Sequence, residues 1–309
     1  MMTRLLFVDD DQNILSGLRR MMRGLRDDWQ LDFALGGKQA LAAMELEAYD
    51  VIVSDMRMPV VDGAMLLSEV QARWPSTVRI VLSGQSEMGR ILQATGPAHQ
   101  YLSKPCDPEI LRATVTQCCF LRDRLPNAHL QQLVSQQSTV HSEPALLHHV
   151  IEELRSSRGD IQRVASLAAR DIGMSAKILQ LVSTSFFGQR RRVMSVEQAV
   201  MLIGLDLMRE LVLSAKVFRP FASPCATELD LAQLNAHCQK VADCSWNIAK
   251  GIADSEQLQG DSRIAGMLHD VGKVVLASCQ PDDYRRALKL AREKQITIWQ
   301  AEMEVFGAS

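Results

Sequence analysis

The chain has 309 residues, 47% of them hydrophobic and 23% charged, with 34 basic and 36 acidic side chains and a formal net charge of −2. That length suits two domains. The near balance of charge supplies no basic excess that would make nucleic acid or an anionic membrane an obligate partner, and no run of eighteen or more apolar residues predicts a membrane-spanning helix.

In chain order, the first 125 residues alternate short apolar runs with amphipathic stretches. Strands are predicted at 5–8, 31–34, 51–54, 78–82 and 101–103, and helices at 13–25, 38–46, 63–74, 89–95 and 108–121. Five strands alternating with five helices predict an α/β domain, a doubly wound five-stranded parallel sheet covered on both faces. The runs at 51–53 and 78–82 are nearly continuous in apolar character, as buried parallel strands require. From residue 126 the strand patterns stop. The stretch 131–142 is rich in Gln and Ser and poor in charge. Helical periods then follow at 146–155, 161–170, 175–183, 196–203, 207–217, 229–252, 263–278 and 300–306, which predicts an all-α second domain. The sequence Ser195-Val196-Glu197-Gln198 reads as a capping box. The expected division is a first domain at 1–125, a linker at 126–141 and a helical domain at 142–309.

The seven cysteines are odd in number, include the adjacent pair Cys118 and Cys119, and form no Cys-x-x-Cys pair. This predicts reduced thiols in a cytoplasmic protein, not a disulfide framework or a zinc site.

Chemistry concentrates at the ends of the first five strands. Asp9, Asp10 and Asp11 follow the first, Asp55 the third, Ser83 the fourth and Lys104 the fifth. In a doubly wound parallel sheet these ends share one edge, where ligand crevices form. Asp11 reads as a helix N-cap. Clustered carboxylates repel unless a cation intervenes, and Mg²⁺ suits one or two carboxylates with waters and a phosphate. One carboxylate can then act as a nucleophile toward a phosphoryl group, with Lys104 as a second cation and Ser83 as a donor.

Val8-Asp9-Asp10, Ser54-Asp55-Met56-Arg57-Met58-Pro59 with Asp62-Gly63, Leu82-Ser83-Gly84 and Tyr101-Leu102-Ser103-Lys104-Pro105 together resemble a response-regulator receiver domain over about residues 1–125. The resemblance implies a flavodoxin-like fold and Asp55 as the phospho-acceptor. It implies Mg²⁺ held by Asp9, Asp10, Asp55 and the backbone carbonyl of Arg57, and phosphoryl contacts from Ser83 and Lys104. Tyr101 is implied as the aromatic that follows Ser83 on activation, and a sensor histidine kinase as the phosphodonor.

In the second domain, Asp171-Ile172-Gly173-Met174-Ser175-Ala176-Lys177 through Val182, Phe186-Phe187-Gly188 and Ala265-Gly266-Met267-Leu268-His269-Asp270-Val271-Gly272 resemble the HDOD domain, an HD-related output module, over about residues 140–309. Ser183-Thr184 stands where that family usually has Asn-Ser. The resemblance implies a non-catalytic signalling module. His237, His269 and Asp270 also resemble the ligand positions of HD-type metal-dependent phosphohydrolases, whose complete sites need a later Asp. No histidine follows His269, and the only later aspartates are Asp282 and Asp283. HDOD sequences usually continue through further helices, so a domain truncated at its C-terminus is expected. The basic run Gln189-Arg190-Arg191-Arg192 reads as a solvated loop.

The expected function is that of a two-component response regulator. Phosphorylation of Asp55 would control a non-catalytic output acting through association with a downstream protein or a second copy, with no membrane or nucleic-acid partner. The alternative expectation is a phosphorylation-regulated HD-type phosphohydrolase acting on a nucleotide or cyclic dinucleotide.

Overall fold

Apolar runs too short for helices become the strands of a parallel sheet in the computed structural model, which describes residues 2–25, 29–84, 97–124, 130–133, 140–183, 193–214, 217–223 and 228–307. The chain forms two compact units, Met1–Ser138 and Thr139–Ser309.

The first unit runs β1 (Thr3–Asp9), α1 (Gln12–Met21), β2 (Trp29–Leu35), α2 (Gly37–Leu46), β3 (Val51–Asp55), α3 (Gly63–Arg73), β4 (Val78–Ser83), β5 (Gln100–Ser103) and α4 (Pro108–Arg124). The strands pair in the order β2-β1-β3-β4-β5, all parallel. Every residue of β3 and β4 is buried, the pattern of strands covered on both faces. Leu5, Phe7, Val53, Ile80 and Leu82 form the core with Leu111 and Val115 of α4. Helix α1 starts where Asp11 caps it, accepting from the Asn13 N–H at 2.7 Å. It is shorter than the sequence pattern predicts and passes into a 3₁₀ turn at Met22–Leu25. The predicted helix at 89–95 lies outside the described residues.

The second unit is mostly helical: α5 (Pro144–Arg155), α6 (Ile161–Ala168), α7 (Ile172–Val182), α8 (Val196–Ile203), α9 (Leu205–Arg209), α10 (Leu231–Ile252), α11 (Glu256–Leu268), α12 (Val271–Cys279), α13 (Pro281–Lys294) and α14 (Ile298–Phe306). The expectation of helices alone needs correction. β6 (Val140–Ser142) and β7 (Phe218–Pro220) pair in parallel, and the Phe221 N–H extends the ladder to Ser142 O at 2.8 Å. Three-residue strands are too short to show alternation, and each gains its hydrogen bonds only from a partner distant in the chain. Val140 and His141, read as linker, therefore belong to a strand.

Two helix boundaries also differ, and one helix is new. The predicted helix 207–217 is α9 followed by a π turn at Glu210–Ser214 and then β7. The predicted helix 263–278 begins earlier, at the Ser255 cap, and breaks at His269-Asp270 into α11 and α12. Helix α13, with Pro281 at its first turn, was not predicted at all. The capping box expected at Ser195 is half formed. Ser195 Oγ accepts from Gln198 N–H, but the Gln198 side chain accepts from Met194 N–H instead. A complete box opens α14 at Thr297 and Gln300. Residues 126–129 and 134–139 of the predicted linker, Phe186-Phe187-Gly188, Thr184, Cys225 and the whole basic run 189–192 fall outside the described residues.

Candidate functional site

Parallel pairing brings the chemistry of four strands to one edge. Asp9 ends β1, Asp55 ends β3 and Ser83 ends β4, while Lys104 follows β5 directly. Val8 pairs with Ser54 and Ser83 with Ser103, so the residues after each pair face one crevice. Lys104 Nζ donates to Asp9 Oδ2 at 2.7 Å and also to Asp55 Oδ1. The second oxygen of each carboxylate is held by backbone: Asp11 N–H to Asp9 Oδ1 at 2.9 Å, and Arg57 N–H to Asp55 Oδ2 at 2.7 Å. Asp9 and Ser83 are fully buried, Asp55 is 8% exposed, and Asp10 is exposed on the rim. The Lys104 backbone N–H donates to Ser83 O at 2.8 Å, and the Lys104–Pro105 peptide is cis. Tyr101, opposite Val81 in the β4–β5 register, is 2% exposed.

Burial sets the electrostatics. It pushes the Asp55 carboxyl above the ordinary carboxylate range, although the bond from Lys104 opposes the shift. Burial would lower the Lys104 ammonium, but its bonds to Asp55 and Asp9 outweigh this and raise it. The buried Tyr101 hydroxyl is driven far above its usual value. Three carboxylates against one ammonium leave negative charge uncompensated at an edge of oxygen donors. That donor set fits a hard divalent cation such as Mg²⁺.

The other predicted cluster also converges. His237 lies on α10, and His269-Asp270 forms the break between α11 and α12. A Cβ on Gly266 would lie 2.8 Å from Ala242 Cα, so glycine lets α11 approach α10 closely enough for the imidazoles to meet. The two Nε2 atoms stand 3.2 Å apart, and Asp270 Oδ2 is 3.4 Å from His269 Nε2 and 3.7 Å from His237 Nε2. His269 Nδ1 faces Gly266 O at 2.8 Å. The ligand atoms of all three lie within 4.8 Å of one another, a spacing one borderline metal ion could bridge.

Two neighbours of this cluster escaped the sequence reading. Lys273 Nζ is 2.6 Å from Asp270 Oδ2, so an ammonium already neutralises that carboxylate. Glu302 on α14 is buried and accepts from the Tyr284 hydroxyl at 3.2 Å. Burial raises its pKa, while the field of Lys273 pulls it down. The HD-type pattern calls for a late aspartate, and the late acid on this helix is a glutamate. The visible signal was Glu302 beside Ala301 on the apolar face of a helix.

Residues 140–309 match the HDOD domain family, and residues 5–116 match the response regulator receiver domain. The hydrogenase transcriptional regulatory protein HoxA of Cupriavidus necator is 31% identical over 155 residues, which cover 50% of this chain and 31% of that protein. The transcriptional regulatory protein ZraR of Escherichia coli is 30% identical over 152 residues, 48% of this chain and 33% of that protein. The chain thus spans about a third of the length of these curated relatives. Among solved structures, the signal receiver domain of an HD domain-containing protein from Pseudomonas fluorescens is 31% identical. It covers 38% of this chain and 94% of its own, with a TM-score of 0.36.

Proposed function

The chain belongs to the HDOD family and carries a response regulator receiver domain ahead of its HDOD domain, and on that premise we propose that it is a two-component response regulator whose Asp55 accepts a phosphoryl group from a sensor histidine kinase. The observation that carries this reading is the convergence of Asp9, Asp55 and Lys104 at one sheet edge.

In the proposed step an Asp55 oxygen attacks phosphorus. An O–P bond forms as the N–P bond of a phosphohistidine breaks, and the departing imidazole keeps the electron pair and takes up a proton. Asp9, Asp10, Asp55 and the Arg57 carbonyl would hold Mg²⁺, which when bound neutralises charge on the transferring group. Lys104 turns from the carboxylates to a phosphoryl oxygen, and the Ser83 hydroxyl donates to another. The acquired charge biases Ser83 and Tyr101, and through them the output. A coupling of about 1–3 kcal/mol is the usual scale for such control.

Output is read as altered association with a downstream protein or a second copy, in the cytoplasm. Among the described residues no helix is long and apolar enough to cross a membrane, and the described cysteines are free thiols. The test is phosphate incorporation from acetyl phosphate with Mg²⁺, read by intact mass. A protein that gains no phosphate and gives no change in elution volume with beryllofluoride overturns the reading.

Mg²⁺ at about a hundredfold excess over its Kd should stabilise the receiver by about 2.7 kcal/mol, because it binds the folded site alone. Differential scanning fluorimetry should show this rise in wild type and its loss in Asp9→Asn. An unmoved wild-type midpoint counts against the cation site.

The His237–His269–Asp270 cluster favours a second reading, an HD-type phosphohydrolase. The non-catalytic output is preferred because Lys273 already pairs with Asp270 and Glu302 is engaged by Tyr284. After chelator stripping and reloading with Zn²⁺ or Mn²⁺, elemental analysis should find little stoichiometric metal. Stoichiometric metal lost in His269→Ala, together with nucleotide hydrolysis, would establish the enzyme instead.

A further inference from the structure

Arg79, near the start of β4, is 1% exposed, a costly place for a charge unless its donors are satisfied. Its guanidinium does so with backbone carbonyls. Nη1 donates to Pro75 O at 3.2 Å and Thr77 O at 3.0 Å, and Nε donates to Pro97 O. Nη2 stands 3.1 Å from His99 Nε2. The main chain joins in: Arg79 N–H donates to His99 Nδ1 at 3.0 Å, and Arg79 O accepts from His99 N–H at 2.8 Å. Pro75 and Thr77 lead into β4, while Pro97 and His99 lead into β5. One planar fork of donors therefore ties together the entries of two adjacent strands, a geometry that lysine cannot reproduce.

The register shows what this clamp holds. Val81 pairs with Tyr101, and Arg79 lies two residues before Val81 in the same strand, so period-two alternation puts the side chains of Arg79, Val81 and Tyr101 on one face. Burial pushes the Arg79 guanidinium down to about 10, while the field of Tyr101 works in the opposite direction. Both groups are buried, Arg79 at 1% and Tyr101 at 2% exposure.

We propose that Arg79 is a positioning residue of the receiver: by locking the entry of β5 it holds Tyr101 in its buried orientation before any phosphoryl group reaches Asp55. The functional weight of this rests on the reading of Tyr101 as the switch aromatic. In this chain the ring is preset inside, so phosphorylation of Asp55 couples to Tyr101 through Ser83 without a change in its burial.

The test uses the full chain labelled with 3-fluorotyrosine. The three tyrosines are Tyr49, Tyr101 and Tyr284, and their fluorine resonances are assigned by single Tyr→Phe variants. The H2O/D2O isotope shift of each resonance reads its exposure to solvent. In wild type the Tyr101 shift should be close to zero both with and without beryllofluoride. In Arg79→Met it should move toward the value of free 3-fluorotyrosine, with Arg79→Lys in between, because lysine keeps the charge and loses the fork. Tyr284 should be unchanged. Tyr49, whose carbonyl accepts from the Thr77 hydroxyl at 2.9 Å, should also stay put unless the whole end of the sheet loosens.

If Arg79→Met does not fold by circular dichroism, Arg79→Lys and His99→Ala decide, and both should expose Tyr101. An exposed Tyr101 in untreated wild type overturns the proposal. So does a buried Tyr101 in Arg79→Lys and His99→Ala. Intact-mass phosphorylation of the same samples keeps the two readings apart. Failure to take up phosphate overturns the phospho-acceptor assignment, while the exposure of Tyr101 in unphosphorylated protein still judges Arg79.

Discussion

Treated with acetyl phosphate and Mg²⁺, the Asp55→Asn variant is expected to gain no mass where wild type gains one phosphoryl group. Asp55 is the reachable nucleophile of the buried pair because it keeps some exposure at the sheet edge, whereas Asp9 is fully buried. Lys104→Met should slow incorporation about 100-fold, the usual cost of removing one donor aimed at developing charge. Mass gain in Asp55→Asn would move the acceptor elsewhere.

The same variant has a second expected effect, on stability. A carboxyl raised by the fold binds a proton that the unfolded chain has released. The stability from that proton is present at low pH and is lost as pH rises through the raised folded value. Above that window the ionised Asp55 is a net cost, which asparagine removes. Without Mg²⁺ at neutral pH, Asp55→Asn should therefore melt a few degrees above wild type in calorimetry. An equal or lower midpoint would mean that the ion pair with Lys104 outweighs the burial.

The second large effect is expected from Gly63→Ala. In an open helix position this change usually stabilises by up to about 1 kcal/mol. At Gly63 the added Cβ would lie 2.2 Å from the Asp55 carbonyl oxygen and 2.9 Å from Met56 Cα. Both are backbone atoms, and Gly63 N–H is bonded to Met56 O at 3.0 Å, so neither side can yield cheaply. A loss of about 3 kcal/mol or more is expected, seen in a thermal melt. Because the strained strand end carries the proposed acceptor, phosphate incorporation should fall with it. Gly17 on α1 provides the control, since a Cβ there meets nothing within 4 Å. Gly17→Ala should be neutral or slightly stabilising, and an equal loss in both variants would show that the effect is not specific to the site.

The two constellations were legible to different degrees. Asp9, Asp55, Ser83 and Lys104 were readable because each terminates an apolar run, and strand ends in a parallel sheet have a common destination. His269 and Asp270 were readable as candidates, but the apolar period runs on either side of them and hid the break between α11 and α12. Lys273 and Glu302 were missed because their meaning depends on what lies opposite them. Lys273 matters through its bond to Asp270, and Glu302 through burial beside Tyr284. Arg79 gave no signal at all. An arginine in a strand reads as an exposed polar position, and only the carbonyls of Pro97, Pro75 and Thr77 make its burial tolerable.

From the sequence alone came the α/β character of the first unit, the number of its strands, the mostly helical second unit and the chemical type of group at each strand end. These follow from side-chain period, turn residues and caps, which act within a few residues along the chain. Only the tertiary structure decided the strand order β2-β1-β3-β4-β5, the pairing of β6 with β7, and the sharing of Lys104 between Asp9 and Asp55, 95 and 49 residues away. The physical reason is that desolvation, ion pairing and strand hydrogen bonds depend on which distant groups arrive together. No local pattern carries that information.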